Sequence, residues 1–219
     1  MKPSEQLYEA VKDIWAAYND HPFVQGIADG TLDHEKFRFY MIQDSLYLHG
    51  YAKVFAWGMI KSQTEEDIRA FAALISGALS EESENHQKYM EILGITPEII
   101  AQTPVALTTE SYTSYMLKIA AEEGPAEIAT AVLACAWSYA LIGAYVGKFT
   151  EGRKDPFFAH WIDTYDSEEY LRCNDETIAL VDRLAKDYTP AQMEHLTQIL
   201  INCSRYEAMF WDMAWNKEM

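Results

Sequence analysis

The chain is predicted to be all-α: a multi-helix bundle built around one central apolar helix. Three observations predict it. Apolar residues recur at helical spacing in the long segments, and strand alternation is sustained nowhere. The punctuation is that of helices, with Asp, Ser or Thr ahead of apolar stripes and Pro at several starts. Residues 128–147, IATAVLACAWSYALIGAYVG, carry no charge, as a helix enclosed on all sides would.

Ser4 can cap a first helix whose stripe is Leu7, Val11, Ile14 and Tyr18. His21-Pro22 ends it, because a residue before proline avoids the α region. A short segment, Phe23 to Ile27, leads to the turn at Asp29-Gly30, and Asp33 then caps a long helix over 34–62. Thr64, with Asp67 in capping-box position, opens a helix predicted to run to Gly94, a fitting C′ residue. Thr96-Pro97 opens a short helix, and another spans Thr109 to Glu122. After Gly124-Pro125 the apolar helix continues to about Phe149. Asp155-Pro156 starts a short helix, Ser167 one that reaches Asp187, and Thr189-Pro190 with Gln192 the last, to Trp215. The expectation is about nine helices and no sheet.

The 219 residues are expected to form a single domain, 1–219. An apolar share of 49% excludes a disordered chain. A net charge of −17 repels phosphate backbones and anionic lipid, which argues against nucleic-acid and membrane-surface partners. Cys135, Cys173 and Cys203 are widely spaced, and MKPSEQLYEA has no apolar run after its lysine, so cytoplasmic residence is the expectation. Residues 128–147 are long enough to span a bilayer, yet they are rich in Ala, Gly, Ser, Thr and Tyr, which favours the centre of a soluble bundle.

Polar residues on apolar stripes are the functional signal. Asp44 interrupts the stripe Phe37, Met41, Leu48, Tyr51, Phe55, and Glu207 interrupts Leu196, Leu200, Cys203, Phe210, Ala214. Burying a carboxylate costs several kcal/mol or shifts its pKa, so each needs a partner or a use. The third stripe, Ile68, Ala72, Ile75, Leu79, contains Glu82 and His86, which read more simply as a mutually satisfied pair. Cys135 lies in the apolar helix with Tyr139 on the same face; buried cysteine is ordinarily a small hydrophobe. Together a thiol, two carboxylates and several tyrosines suit a flat heteroaromatic ligand, stacked on its faces and read at its ring nitrogens. No Gly-rich phosphate loop, GxSxG or Glu-x-x-His occurs. The cysteines and histidines do not cluster for zinc, while His21, His34, His49 and His86 leave haem open.

Six segments carry a family resemblance: HPFVQGIADGTL at 21–32, IQDSLYL at 42–48, SYTSYM at 111–116, ACAWSY at 134–139, WIDTY at 161–165 and YEAMFWDMAW at 206–215. In content and order they resemble the thiaminase II (TenA) family, cysteine-dependent branch, over nearly the whole chain. The resemblance implies a haem-oxygenase-like bundle, a homotetramer, and no metal or cofactor. It implies hydrolysis of thiamin, or of the salvage substrate 4-amino-5-aminomethyl-2-methylpyrimidine, to the hydroxymethyl pyrimidine.

By the same resemblance Cys135 is the nucleophile, Glu207 the acid/base at the ring nitrogen, and Asp44 the carboxylate that orients the amidine edge. Tyr112 and Tyr139 would hydrogen-bond, and Tyr47, Tyr165 and Phe210 would line or stack on the ring. Leu46 stands where the family commonly has an aromatic, and Ala134 and Ala136 where Pro and a larger ring are usual, which bears on pocket shape and leaving group. Two other readings remain open: a non-catalytic pyrimidine or thiamin binder, and a haem or di-iron oxidase of the same fold.

Overall fold

The structure is a computed structural model that describes residues 1–79 and 84–219, with the side chains of residues 84–87 left out. The described residues form eleven α-helices and no strand. They are α1 (Pro3–Tyr18), α2 (Pro22–Asp29), α3 (His34–Lys61), α4 (Glu65–Ala78), α5 (Glu84–Ile92) and α6 (Pro97–Gln102). Next come α7 (Leu107–Glu122), α8 (Pro125–Val146), α9 (Pro156–Tyr165), α10 (Glu168–Leu184) and α11 (Pro190–Asn216). A 3₁₀ turn, Gly152–Lys154, precedes α9.

The strong start signals act as expected. Asp33 accepts from the amides of Glu35 and Lys36, Thr64 from Asp67, Asp155 from Phe157, Ser167 from Tyr170 and Thr189 from Gln192. Each satisfies a donor that a helix N-terminus leaves open. Gly94 takes φ 65° just past α5, the left-handed stop that glycine permits.

Three expectations are corrected. Ser4 does not cap α1, which begins at Pro3; its amide and hydroxyl instead donate to Asp182 of α10 at 2.8 and 2.9 Å. The segment after His21 is a full helix, because Pro22 occupies a position where no amide is needed and the His21 ring accepts from Phe23. The helix opened by Thr64 ends at Ala78, and α5 is a separate helix. These last two changes raise the count from nine to eleven.

The face of α4 is also rotated from the expected stripe. Asp67 and Phe71 are buried, whereas Ile68, Ala72 and Leu79 are exposed. Arg183 of α10 decides this by pairing with Asp67 at 2.8 Å. Phe71 then seats on α3 at Gly58, where any Cβ would collide with its ring. The expected pair of Glu82 and His86 lies outside the described residues, Glu82 entirely and His86 in its side chain.

The apolar helix α8 is the axis of the bundle. It is long and apolar enough to cross a membrane, but 67% of its apolar window is buried inside the molecule. It packs against α1, α2, α3, α7, α9, α10 and α11. Small residues let neighbours close on it: a Cβ at Gly143 would meet the backbone of Tyr165, so glycine is what brings the end of α9 onto α8.

Candidate active site

A cavity of about 510 Å³ opens between α3, α4, α8, α9 and α10. Cys135 lines it from the middle of α8, with Asp44 on α3, Tyr139 one turn along α8, and Tyr165 at the end of α9. The α3 helix supplies Asp44 and Tyr51 to this wall seven residues apart, two turns on one face.

The other predicted residues form a layer behind Cys135 rather than the cavity wall. Tyr47, Tyr112, Glu207 and Phe210 are each buried to within 3%. The Tyr47 ring lies 5.2 Å from Tyr112 and 5.9 Å from Phe210. Glu207 is carried inward by α11, between Cys203 and Phe210 on its buried face. Its Oε1 and the Tyr112 hydroxyl each lack a well-formed hydrogen bond. Burial pushes the Glu207 carboxyl up to about 7, against the pull of Tyr112 and the Cys135 thiol, which favour its charged form.

Burial likewise pushes the Cys135 thiol well above its usual range, and the nearby charges of Glu207 and Asp44 add to the effect. The hydroxyls of Tyr47 and Tyr51 work in the opposite sense, as donors that stabilise the thiolate. In this geometry the sulfur is a neutral thiol, with two phenols placed to receive negative charge once it forms.

The sequence reading did not single out four aromatic residues that complete the site. Tyr51 donates to the carbonyl of Val132 at 2.7 Å, and Tyr170 to that of Ala136 at 3.3 Å, so both grip the turn of α8 that carries Cys135. Trp161 donates to the Tyr40 hydroxyl at 3.2 Å, and Tyr40 lies 3.1 Å from the Tyr139 hydroxyl. This chain positions the Tyr139 oxygen at the cavity. The sequence assigns Tyr40 no role and gives Trp161 only as part of the WIDTY segment; their hydroxyl and indole contacts reveal the relay. Of the atypical positions, Ala136 lines the cavity and its small side chain leaves room beside Cys135, whereas Leu46 and Ala134 are not on its wall. Among the described residues no three His, Cys, Asp or Glu side chains gather as metal ligands would.

The arrangement offers a half-buried thiol at the cavity with acids on two sides and aromatic rings around it. A sequence profile described as the TENA/THI-4/PQQC family matches residues 8–217. The chain belongs to this family. It is 40% identical over 215 residues to a Helicobacter pylori protein named aminopyrimidine aminohydrolase, covering 98% of this chain and 99% of that one. A Halalkalibacterium halodurans protein of the same name is 39% identical, covering 100% of this chain and 98% of its own. Among solved structures, the TenA homologue from P. horikoshii OT3 superposes with a TM-score of 0.88 at 30% identity, over 99% of both chains. The all-α, haem-oxygenase-like bundle expected from the resemblance is therefore the fold of this TENA/THI-4/PQQC member.

Proposed function

We propose that the protein is an aminopyrimidine aminohydrolase of the thiaminase II type, with Cys135 as its nucleophile. It would convert 4-amino-5-aminomethyl-2-methylpyrimidine, or thiamin, to 4-amino-5-hydroxymethyl-2-methylpyrimidine. The observation that carries the reading is the placement of the Cys135 thiol at a cavity lined by Tyr51, Tyr139, Tyr165 and Tyr170, between Asp44 on its wall and the raised-pKa Glu207 behind it. Full-length relatives named for this activity support it.

The chemistry follows from the positions. The Cys135 proton passes to the Glu207 carboxylate, whose pKa near 7 suits both receiving and returning it. Tyr47 and Tyr51 take up the developing sulfur charge. The thiolate adds to the pyrimidine carbon beside the methylene-bearing carbon, and Glu207 delivers its proton to the ring nitrogen. Electrons then return through the ring as the bond from methylene to the leaving group breaks, a primary amine departing from its ammonium form as ammonia. Water adds to the exocyclic methylene and releases one proton to the solvent or the ammonia, the ring proton returns to Glu207, and the carbon–sulfur bond breaks to give a thiolate that Glu207 reprotonates. Asp44 and Tyr139 on the wall would hold the amidine edge and Tyr165 would pack on the ring, with Tyr112, Tyr47 and Phe210 backing Cys135 from the layer behind it. Cytoplasmic residence and a homotetramer belong to the same proposal. Exposed Ile60 and Leu107 are apolar surface that such an assembly would cover, and sedimentation velocity measures it.

Incubation of purified protein with 4-amino-5-aminomethyl-2-methylpyrimidine, followed by chromatography, tests the function. Formation of the hydroxymethyl pyrimidine is expected, with a loss of at least about 10³-fold in Cys135→Ser. No product from this substrate or from thiamin would overturn the reading, and full turnover by Cys135→Ser would remove the nucleophile.

A further inference from the structure

The hydrogen-bonded chain Trp161–Tyr40–Tyr139 has a direction. An indole has a donor and no acceptor, so Trp161 donates to the Tyr40 oxygen, at 3.2 Å. The Tyr40 and Tyr139 oxygens lie 3.1 Å apart, and by distance alone either hydroxyl could supply the proton between them. Burial settles the direction. Tyr40 is fully enclosed, with its ring packed among Phe23, Phe37 and Trp211. Among the described residues its hydroxyl has two partners, Trp161 and Tyr139, and only Tyr139 can accept. If Tyr139 donated instead, the Tyr40 proton would be left unpaired in an apolar core, an arrangement that buried hydroxyls avoid. Tyr40 therefore donates to Tyr139.

That direction fixes what Tyr139 offers. Its oxygen already receives a proton from the core, and its ring is held against Trp211 at 5.3 Å. Its own proton is left for the cavity, which Tyr139 lines beside Asp44 and Cys135. The charges of Asp44, Glu207 and Cys135 all act on this hydroxyl, which places it at the reacting end. A hydroxyl that accepts one bond is polarised to donate the next.

A carboxylate at Asp44 can only accept, and Tyr139 held in this way donates. The wall thus shows one acceptor and one donor. The edge of a 4-aminopyrimidine is the complement: its amino group donates and its unprotonated ring nitrogen accepts. A pyrimidin-4-one reverses the pattern, with a carbonyl that accepts and a ring N–H that donates.

We infer that Tyr40 and Trp161 are specificity-determining positioning residues, which hold Tyr139 as a donor and so make the site select 4-aminopyrimidines against pyrimidin-4-ones. The inference rests on the hydrolase reading and deepens its substrate class. Tyr40, away from the cavity wall, acts through Tyr139.

Calorimetric titration with 4-amino-5-hydroxymethyl-2-methylpyrimidine and with 5-hydroxymethyl-2-methylpyrimidin-4-one tests it. The unmodified protein is expected to bind the amino compound at least about 10²-fold more tightly, as sites built around a substrate's own donors and acceptors do. Tyr40→Phe keeps the ring and removes the donor, and is expected to narrow that ratio about three- to tenfold. Trp161→Phe, which frees the Tyr40 oxygen to accept from Tyr139, should move the ratio the same way and serves if Tyr40→Phe does not fold. In a Tyr139→Phe background, Tyr40→Phe should leave the ratio unmoved, because its route to the ligand is gone. A merely structural role would weaken both ligands alike. An unchanged ratio in Tyr40→Phe, or the same narrowing in the Tyr139→Phe background, would overturn the inference. Equal binding of the two pyrimidines by the unmodified protein would overturn it and leave the hydrolase reading intact. Binding of neither would remove both.

Discussion

The Tyr51 hydroxyl donates to the Val132 carbonyl at 2.7 Å, one turn before Cys135 on α8, and its oxygen also lies beside the Cys135 sulfur. While the sulfur is a neutral thiol, the proton of Tyr51 is spent on the backbone. Once a thiolate forms, the same hydroxyl has a charged acceptor within reach, and charge-assisted bonds are about twice as strong as neutral ones.

Tyr51→Phe should therefore act on the thiolate as well as on the turn of α8 that it holds. The donor holds the Cys135 pKa down, so its loss raises that pKa further and lowers the thiolate fraction at any given pH. Iodoacetamide alkylation of Cys135 is expected to slow about three- to tenfold at pH 8. Its pH profile should move upward, with the midpoint of thermal unfolding falling by only about 2–4 °C for the lost Val132 bond. An unshifted alkylation profile would assign Tyr51 to packing alone.

Glu207 makes both rate and stability depend on pH, with signs that can be worked out. Its folded pKa of about 7 lies above the ordinary 4.5. The native state therefore holds a proton between these values that the unfolded chain has lost. Stability from this group is full below pH 4.5 and is lost as pH rises through 7, by about 3 kcal/mol in total. Proton transfer from Cys135 needs the carboxylate, so kcat/KM should rise over the same interval. Glu207→Gln is expected to flatten this stability slope in urea titrations at pH 5 and 8, and to lower kcat by about 10²-fold or more.

Gly143 is the contact that sets Tyr165 at the cavity. In Gly143→Ala the new methyl would meet the Tyr165 backbone, so α9 must move away from α8. Such overpacking typically costs about 1–3 kcal/mol. A fall in thermal midpoint should accompany an increase in KM for the aminopyrimidine as Tyr165 withdraws. An unchanged KM would show that α9 adapts without displacing the ring.

Ser204 tests the core beside the site, one turn before Glu207 on the buried face of α11. The indole of Trp15 donates to its hydroxyl at 2.9 Å, and the Tyr18 hydroxyl donates to its carbonyl, tying α1 to α11. Ser204→Ala leaves the buried indole N–H unpaired, at a cost of about 1–3 kcal/mol. For a chain of this length each kcal/mol lowers the thermal midpoint by about 2–4 °C, which a thermal melt measures.

The helical architecture was legible before any coordinates. Asp33, Thr64, Asp155, Ser167 and Thr189 mark helix starts because capping is local: a side chain meets amides two or three residues away. The identity of α8 as the central helix followed from its lack of charge, and Asp44 and Glu207 declared themselves by interrupting apolar stripes. What the chain could not reveal by itself was pairing at a distance. The burial of Asp67 depends on Arg183, and the role of Ser4 on Asp182, each on another helix more than a hundred residues away. The same holds within the site. Sequence grouped Cys135 with Glu207, Tyr47, Tyr112 and Phe210, but only packing separated this inner layer from the cavity wall. Packing alone also brought in Tyr51, Tyr170, Tyr40 and Trp161. Caps and stripes are written in neighbouring residues, whereas a buried polar group takes its meaning from whichever helix the fold lays against it.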